Sequence, residues 1–188
     1  MPVDWSEYFP TVTLGFGKSP WFRYNWAVRD GLEGHTMGRI DDRLTALGIT
    51  LPEVFPPVGS YTGCALTGNV LYVGGHGPVN GAEIVTGKVG ARVSLEDGRR
   101  AARLTALSIL ATMRAELGDL DRVTRIVKVF GMVNVAPGFN QMPSVIDGCS
   151  DVLVEIFGDA GRHTRSAVGL AELPFDIAVE IELIAEVD

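Results

Sequence analysis

Between Ile177 and Val187 the apolar residues Ile177, Val179, Ile181, Leu183, Ala185 and Val187 fall on odd positions, while Glu180, Glu182 and Glu186 fall on even ones. That two-residue period predicts a strand with one buried and one acidic face. Residues 164–172 alternate as well, with Val168 and Leu170 on one side and Arg165, Ala167, Gly169 and Ala171 on the other. Leu173-Pro174-Phe175-Asp176 joins the two runs and reads as a turn. Paired as a hairpin, the runs set Arg165 opposite Ile184 and Ala167 opposite Glu182, and give Arg165 the same face as Glu180 and Glu182.

Upstream, residues 38–48 predict a short helix with Ile40, Leu44 and Leu47 on one stripe and Gly48 as its stop. A proline-rich connector, 51–57, cannot continue it. Residues 60–67 and 70–75 are strand candidates separated by the turn signal Gly68-Asn69. Ser94, with Asp97 three residues on, opens the clearest helix, whose stripe of Ala102, Ala106, Ile109, Leu110, Met113 and Leu117 runs to Gly118. Arg99, Arg100 and Arg103 cluster on it and suggest a solvated or intersubunit face. Residues 123–135 are rich in strand formers, and 143–157 predict a second helix with Val145, Cys149, Val152, Leu153 and Ile156 inward and Gly158 as its stop. This order fits an α+β domain with two helices on one face of a mixed sheet. The acidic face of the last strand then looks away from the helices, and a face left uncovered within one chain predicts oligomerisation.

Composition changes this picture at one end. Residues 1–36 hold eight of the chain's 15 aromatic residues, including Trp5, Trp21 and Trp26, which is too aromatic for a solvated tail. They are expected to form an extension that packs, with residues 37–188 as the domain proper. A formal net charge of −7 argues against a general nucleic-acid partner, which needs a basic face. Cys64 and Cys149 belong to no C-x-x-C, so neither a zinc site nor a disulfide framework is expected. The absence of a long apolar run or a signal-like N-terminus predicts a cytoplasmic protein with no membrane partner.

The chemistry concentrates on Arg165. Beside carboxylates on a sheet surface it reads either as a cross-strand ion pair, worth at most about 1 kcal/mol if exposed, or as a clamp for a small carboxylate, because the guanidinium fork matches that group bidentately. Gly74-Gly75-His76-Gly77-Pro78 is neither a Walker loop nor a dinucleotide fingerprint. His76 reads as a turn histidine satisfied by backbone groups, since no partner carboxylate can be set beside it from sequence.

Arg165-Ser166-Ala167-Val168, followed by Leu173-Pro174 and Val179-Glu180-Ile181-Glu182, resembles the C-terminal signature of the Rid family, the reactive intermediate deaminases also called YjgF-like. Gly59-Ser60-Tyr61, the turn from Gly75 to Pro78 and Thr86-Gly87 extend the resemblance over residues 58–187. It implies a chorismate-mutase-like fold, a homotrimer with clefts between subunits, and hydrolysis of enamines or imines to keto acids and ammonia without metal or cofactor. It further implies that Arg165 grips the substrate carboxylate, Glu180 positions the attacking water, and Tyr61 closes the cleft, with Ala167 and His76 also lining it. The family's cysteine is Ala167 here, its turn glutamine His76, its helix asparagine is matched to Gly148, and the 136–143 loop is longer than usual.

The resemblance therefore predicts a hydrolytic deaminase of 2-enamino or 2-imino acids. Alternatives are a trimer that binds a small carboxylate without turning it over, and a pathway-specific tautomerase or deaminase for a larger acid with His76 as acid/base. The endoribonuclease label sometimes attached to the family fits poorly with the acidic charge.

Overall fold

The computed structural model describes residues 38–81 and 83–188, so the expected aromatic extension, 1–36, lies outside the described residues. Helix α1 (Arg39–Ala46) buries Ile40 and Leu44 and ends at Gly48, which takes the left-handed backbone (φ +64°) that a residue without Cβ enters at no steric cost. Its first amides, of Arg39 and Ile40, donate to the Asp121 carboxylate, so the cap comes from 82 and 81 residues downstream.

Strands β1 (Cys64–Thr67) and β2 (Val70–His76) form the expected hairpin around Gly68. β1 begins four residues later than its alternating pattern suggests. A two-residue hairpin, β3 (Val79–Asn80) and β4 (Glu83–Ile84), is too short to leave a periodic trace in sequence. Helix α2 (Leu95–Leu117) starts where Ser94 accepts from the Asp97 amide and buries the predicted stripe. β5 (Val123–Asn134), α3 (Met142–Phe157), β6 (Thr164–Leu170) and β7 (Val179–Val187) complete the chain.

The main sheet runs β1-β2-β7-β5-β6, with β6 parallel to β5 and every other pair antiparallel. Helices α2 and α3 pack on each other and on one sheet face, α2 over β7 and β2, α3 over β6 and β5. The mixed sheet with two helices on one face is thus as the periodicity predicts. The acidic side of β7 does look away from the helices: Val179, Ile181, Leu183, Ala185 and Val187 are buried, while Glu180, Glu182 and Glu186 lie on the open face. Arg99 and Arg103 of α2 pair with Asp151 and Glu155 of α3, and Arg100 with Glu83, so the arginine cluster ties elements together rather than being merely solvated.

The C-terminal hairpin is corrected. β6 and β7 do not pair, because β5 lies between them. The physical reason is the crossover: β5, α3 and β6 form a strand–helix–strand unit, and a helical return delivers the next strand parallel beside the first. Residues 173–176 are a wider bend that carries the chain past the end of β5. There Phe175 and Asp176 both adopt positive φ, and the buried Asn134 holds the bend by donating to Asp176 Oδ1 and the Ile177 carbonyl. Arg165 accordingly stands beside Val129, and Val129 beside Leu183, a row that faces the helices; Ala167 stands beside Gly131. Glu180 stands beside Met132 on the other side. Arg165 and Glu180 therefore do not share a face.

Candidate functional site

Arg165 is held from α3. Its Nη1 donates to Asp147 Oδ1 and to Ser150 Oγ, each at 2.9 Å. Asp147 and Ser150 are three residues apart, one helical turn, and so present the same side of α3 to β6. Both bonds leave from one terminal nitrogen, and the Nε–Nη2 edge, the one that grips a carboxylate bidentately, carries no hydrogen bond to the described residues. The side chain is 23% exposed, at the strand that forms the edge of the sheet. Arg165 is thus ion-paired, as the first sequence reading holds, but to Asp147 rather than to the β7 glutamates. Ala167 follows on the same side, half-buried against the core.

Gly148, which stands where the resemblance places the family's helix asparagine, faces α2. A Cβ at Gly148 would overlap the Arg99 carbonyl oxygen, so here α3 lies directly against α2 backbone. The polar α3 groups that meet Arg165 are Asp147 and Ser150, which sequence reasoning missed along with His163. The available signal was the spacing of Asp147 and Ser150, one turn apart on a helix leading into the arginine's strand.

Glu180 lies on the open face over a gap in the neighbouring strand. β2 carries a bulge between Val73 and His76, opposite β7, and a Cβ at Gly75 would overlap Glu180 Oε1. The carboxylate thus rests directly on peptide backbone. Burial first, and the Glu182 charge second, push Glu180 above the usual value of 4.5. Two outcomes follow. Gly75→Ala should leave the fold intact, because only a flexible side chain must move, yet displace the carboxylate; turnover falling by about tenfold with little change in melting temperature is the expected pairing. Glu180→Gln should raise the melting temperature at pH 7. A carboxyl whose pKa is higher folded than unfolded is destabilising when ionised, so the gain should close as pH falls below 4.5, where the wild-type group is protonated too. A lower melting temperature at pH 7 would contradict this.

His76 sits at the end of the bulge but on the helix side. Nδ1 lies 2.8 Å from the Gly74 carbonyl and Nε2 2.8 Å from Thr112 Oγ1 on α2. Burial pushes its pKa down, the Gly74 bond opposing, which keeps the ring neutral near pH 7. One ring nitrogen is satisfied by backbone, as the sequence reading expects, and the other by the Thr112 hydroxyl; together they fix the bulge on which Glu180 rests. Tyr61 precedes β1, its ring over Gly59 and 59% of the residue exposed. Because β1 begins where β2 ends and β7 starts, Tyr61 and Glu180 belong to the same end of the sheet.

Arg165 and Glu180 are two strands and three residue rows apart, about 14 Å by the spacings of a pleated sheet, and point to opposite sides. Among the described residues, no group of three or more His, Cys, Asp and Glu is placed to hold a metal ion, and no helix is long and apolar enough to cross a membrane.

The sheet order, the paired helices and the bulge beside β7 define an α+β protein of the chorismate-mutase-like type. The family model described as "YjgF/chorismate_mutase-like, putative endoribonuclease" matches residues 41–187, and the chain belongs to that family. Protein TCP17 of Trypanosoma cruzi is 41% identical over 153 residues, 80% of this chain and 96% of its own. The 2-iminobutanoate/2-iminopropanoate deaminase of Dermatophagoides farinae is 28% identical over 142 residues, 74% of this chain and 95% of its own. Among solved structures, Atu1372 of Agrobacterium tumefaciens, a protein of unknown function, is 42% identical, with 80% of this chain and 93% of that one covered and a TM-score of 0.74.

Proposed function

We propose that the protein hydrolyses 2-imino or 2-enamino acids to keto acids and ammonia, at a cleft between two copies of the chain in a homotrimer. The observation that carries this reading is the Arg165 guanidinium, anchored through Nη1 alone with its Nε–Nη2 edge turned to no described partner. A planar carboxylate is the ligand that such an edge fits. The opposite placement of Glu180 argues for a composite site, with Arg165 from one subunit and Glu180 and Tyr61 from its neighbour. The open sheet face offers Tyr72, half exposed beside Ile184, and farther across the sheet the partly buried Phe130 and Val168, apolar surface suited to a second copy.

In this reading the Arg165 fork fixes the substrate carboxylate. Glu180, made more basic by burial, accepts a proton from water as the oxygen attacks the imine carbon. The imine nitrogen takes up protons, and collapse of the carbinolamine expels ammonia and leaves the keto acid. The relative named as an iminobutanoate/iminopropanoate deaminase supports this substrate class. The test is to generate 2-aminoacrylate with a serine dehydratase and follow keto-acid release. Acceleration by the pure protein is expected, and equal rates with and without it would overturn the proposal.

A further inference from the structure

Behind Arg165 the hydrogen bonds continue. Ser150 Oγ lies 3.0 Å from His163 Nε2, and His163 Nδ1 lies 2.7 Å from the Gly161 carbonyl oxygen. A carbonyl only accepts, so Nδ1 carries a ring proton, and an arginine only donates, so Ser150 accepts from Nη1. In a neutral ring Nε2 is then the acceptor and takes the Ser150 proton. Of the two neutral tautomers of His163, only Nδ1–H satisfies the whole chain. We propose that His163 and Ser150 are positioning residues of the Arg165 clamp, and that the one-way chain Arg165–Ser150–His163–Gly161 holds the guanidinium in its gripping orientation only while His163 is unprotonated.

Protonation would set an N–H on Nε2 facing Ser150 Oγ. The hydroxyl would then receive two donors, its own proton would need a new acceptor, and a second cation would stand beside Arg165. Burial pushes His163 below its ordinary 6.5 and Arg165 adds to that push, against the raising effect of the Gly161 bond. The charged and titratable groups around it are Arg165 on β6, Asp147 and Cys149 on α3, and the Asp159–Arg162 pair in the preceding turn. Cys149, its thiol pushed up to about 12 by burial, stays neutral throughout. Asp147 is the other charged partner of Arg165, so Asp147→Asn is the control.

The inference rests on the clamp reading of Arg165, and the test separates the two. Pyruvate binding is measured by calorimetry at pH 7.5 and 5.5. The wild-type and Asp147→Asn proteins should each bind more weakly at pH 5.5, by at most about tenfold, because a midpoint below 6.5 leaves part of His163 neutral there. His163→Gln, which keeps an acceptor for Ser150 but cannot be protonated, should bind near the wild-type pH 7.5 level at both values. His163→Ala and Ser150→Ala should bind weakly at both. Arg165-dependent binding that is unchanged in His163→Ala, or a pH response retained in His163→Gln, would overturn the positioning role and leave the clamp standing; no Arg165-dependent binding would overturn both. Should the alanine variants fail to fold, nitrogen NMR of the wild-type imidazoles decides. An Nδ1–H tautomer titrating below 6.5, with a midpoint that rises in Arg165→Ala, is expected, and an Nε2–H tautomer would overturn the chain.

Discussion

Arg165→Ala should cost the protein about 30- to 1,000-fold in kcat/KM on imino-acid substrates, the equivalent of about 2–4 kcal/mol for removing one partner of a shielded, charge-assisted pair. The loss should appear mainly as weaker binding of the carboxylate. Arg165→Lys should recover little, because an ammonium is a point charge and cannot reproduce the planar fork. The fold should survive, since Asp147 and Ser150 are both partly exposed and can turn to water once the guanidinium is gone. Steady-state kinetics with melting curves on the same samples check this: kcat/KM within threefold of wild type would remove Arg165 from the site.

The second large effect is structural. Gly148→Ala would push a methyl group into the Arg99 carbonyl, which is backbone in the second turn of the facing helix and cannot rotate aside. Helix propensity alone would make this exchange favourable by about 1 kcal/mol. Overpacking between two helices that also share the Arg99–Asp151 and Arg103–Glu155 pairs outweighs it. We expect a net loss of about 3 kcal/mol, and a melting temperature lower by about 6–12 °C for a chain of this size. A melting temperature equal to or above wild type would show that the helices can separate without cost.

Much of the fold was legible because its elements are one-sided. The α2 and α3 stripes and the odd-even pattern of β7 each name a buried face, and Gly48 and Gly158 mark stops that the backbone confirms with positive φ. Pairing was not legible from alternation, because a hairpin and a connection that skips one strand leave the same local pattern in 164–187. Two other signals did bear on it. β5 is apolar on both sides, with Val129 and Val133 toward the helices and Phe130 and Met132 away, as a central strand requires. The strand–helix–strand order also implies a parallel neighbour.

Of the site, Arg165 and Glu180 came from the alternation, their roles and Tyr61 from the family resemblance, and the structure changes their relation rather than their identity. A hairpin would have put arginine and glutamate side by side in one chain; the observed register sets them on opposite faces. Asp147, Ser150 and His163 escaped sequence reasoning because they reach Arg165 from a helix and a turn, and their convergence depends on how α3 lies across β6.

That opposite placement makes the composite site the central claim, and subunit mixing tests it most directly. Arg165→Ala and Glu180→Ala, each purified alone, should both be nearly inactive. If one subunit supplies the arginine and its neighbour the glutamate, co-refolding the two in equal amounts restores an intact pair at about one cleft in four of a randomly mixed trimer, and activity should return to about a quarter of wild type. A mixture that stays as inactive as its two parents, in trimers shown to have exchanged subunits, would contradict the account.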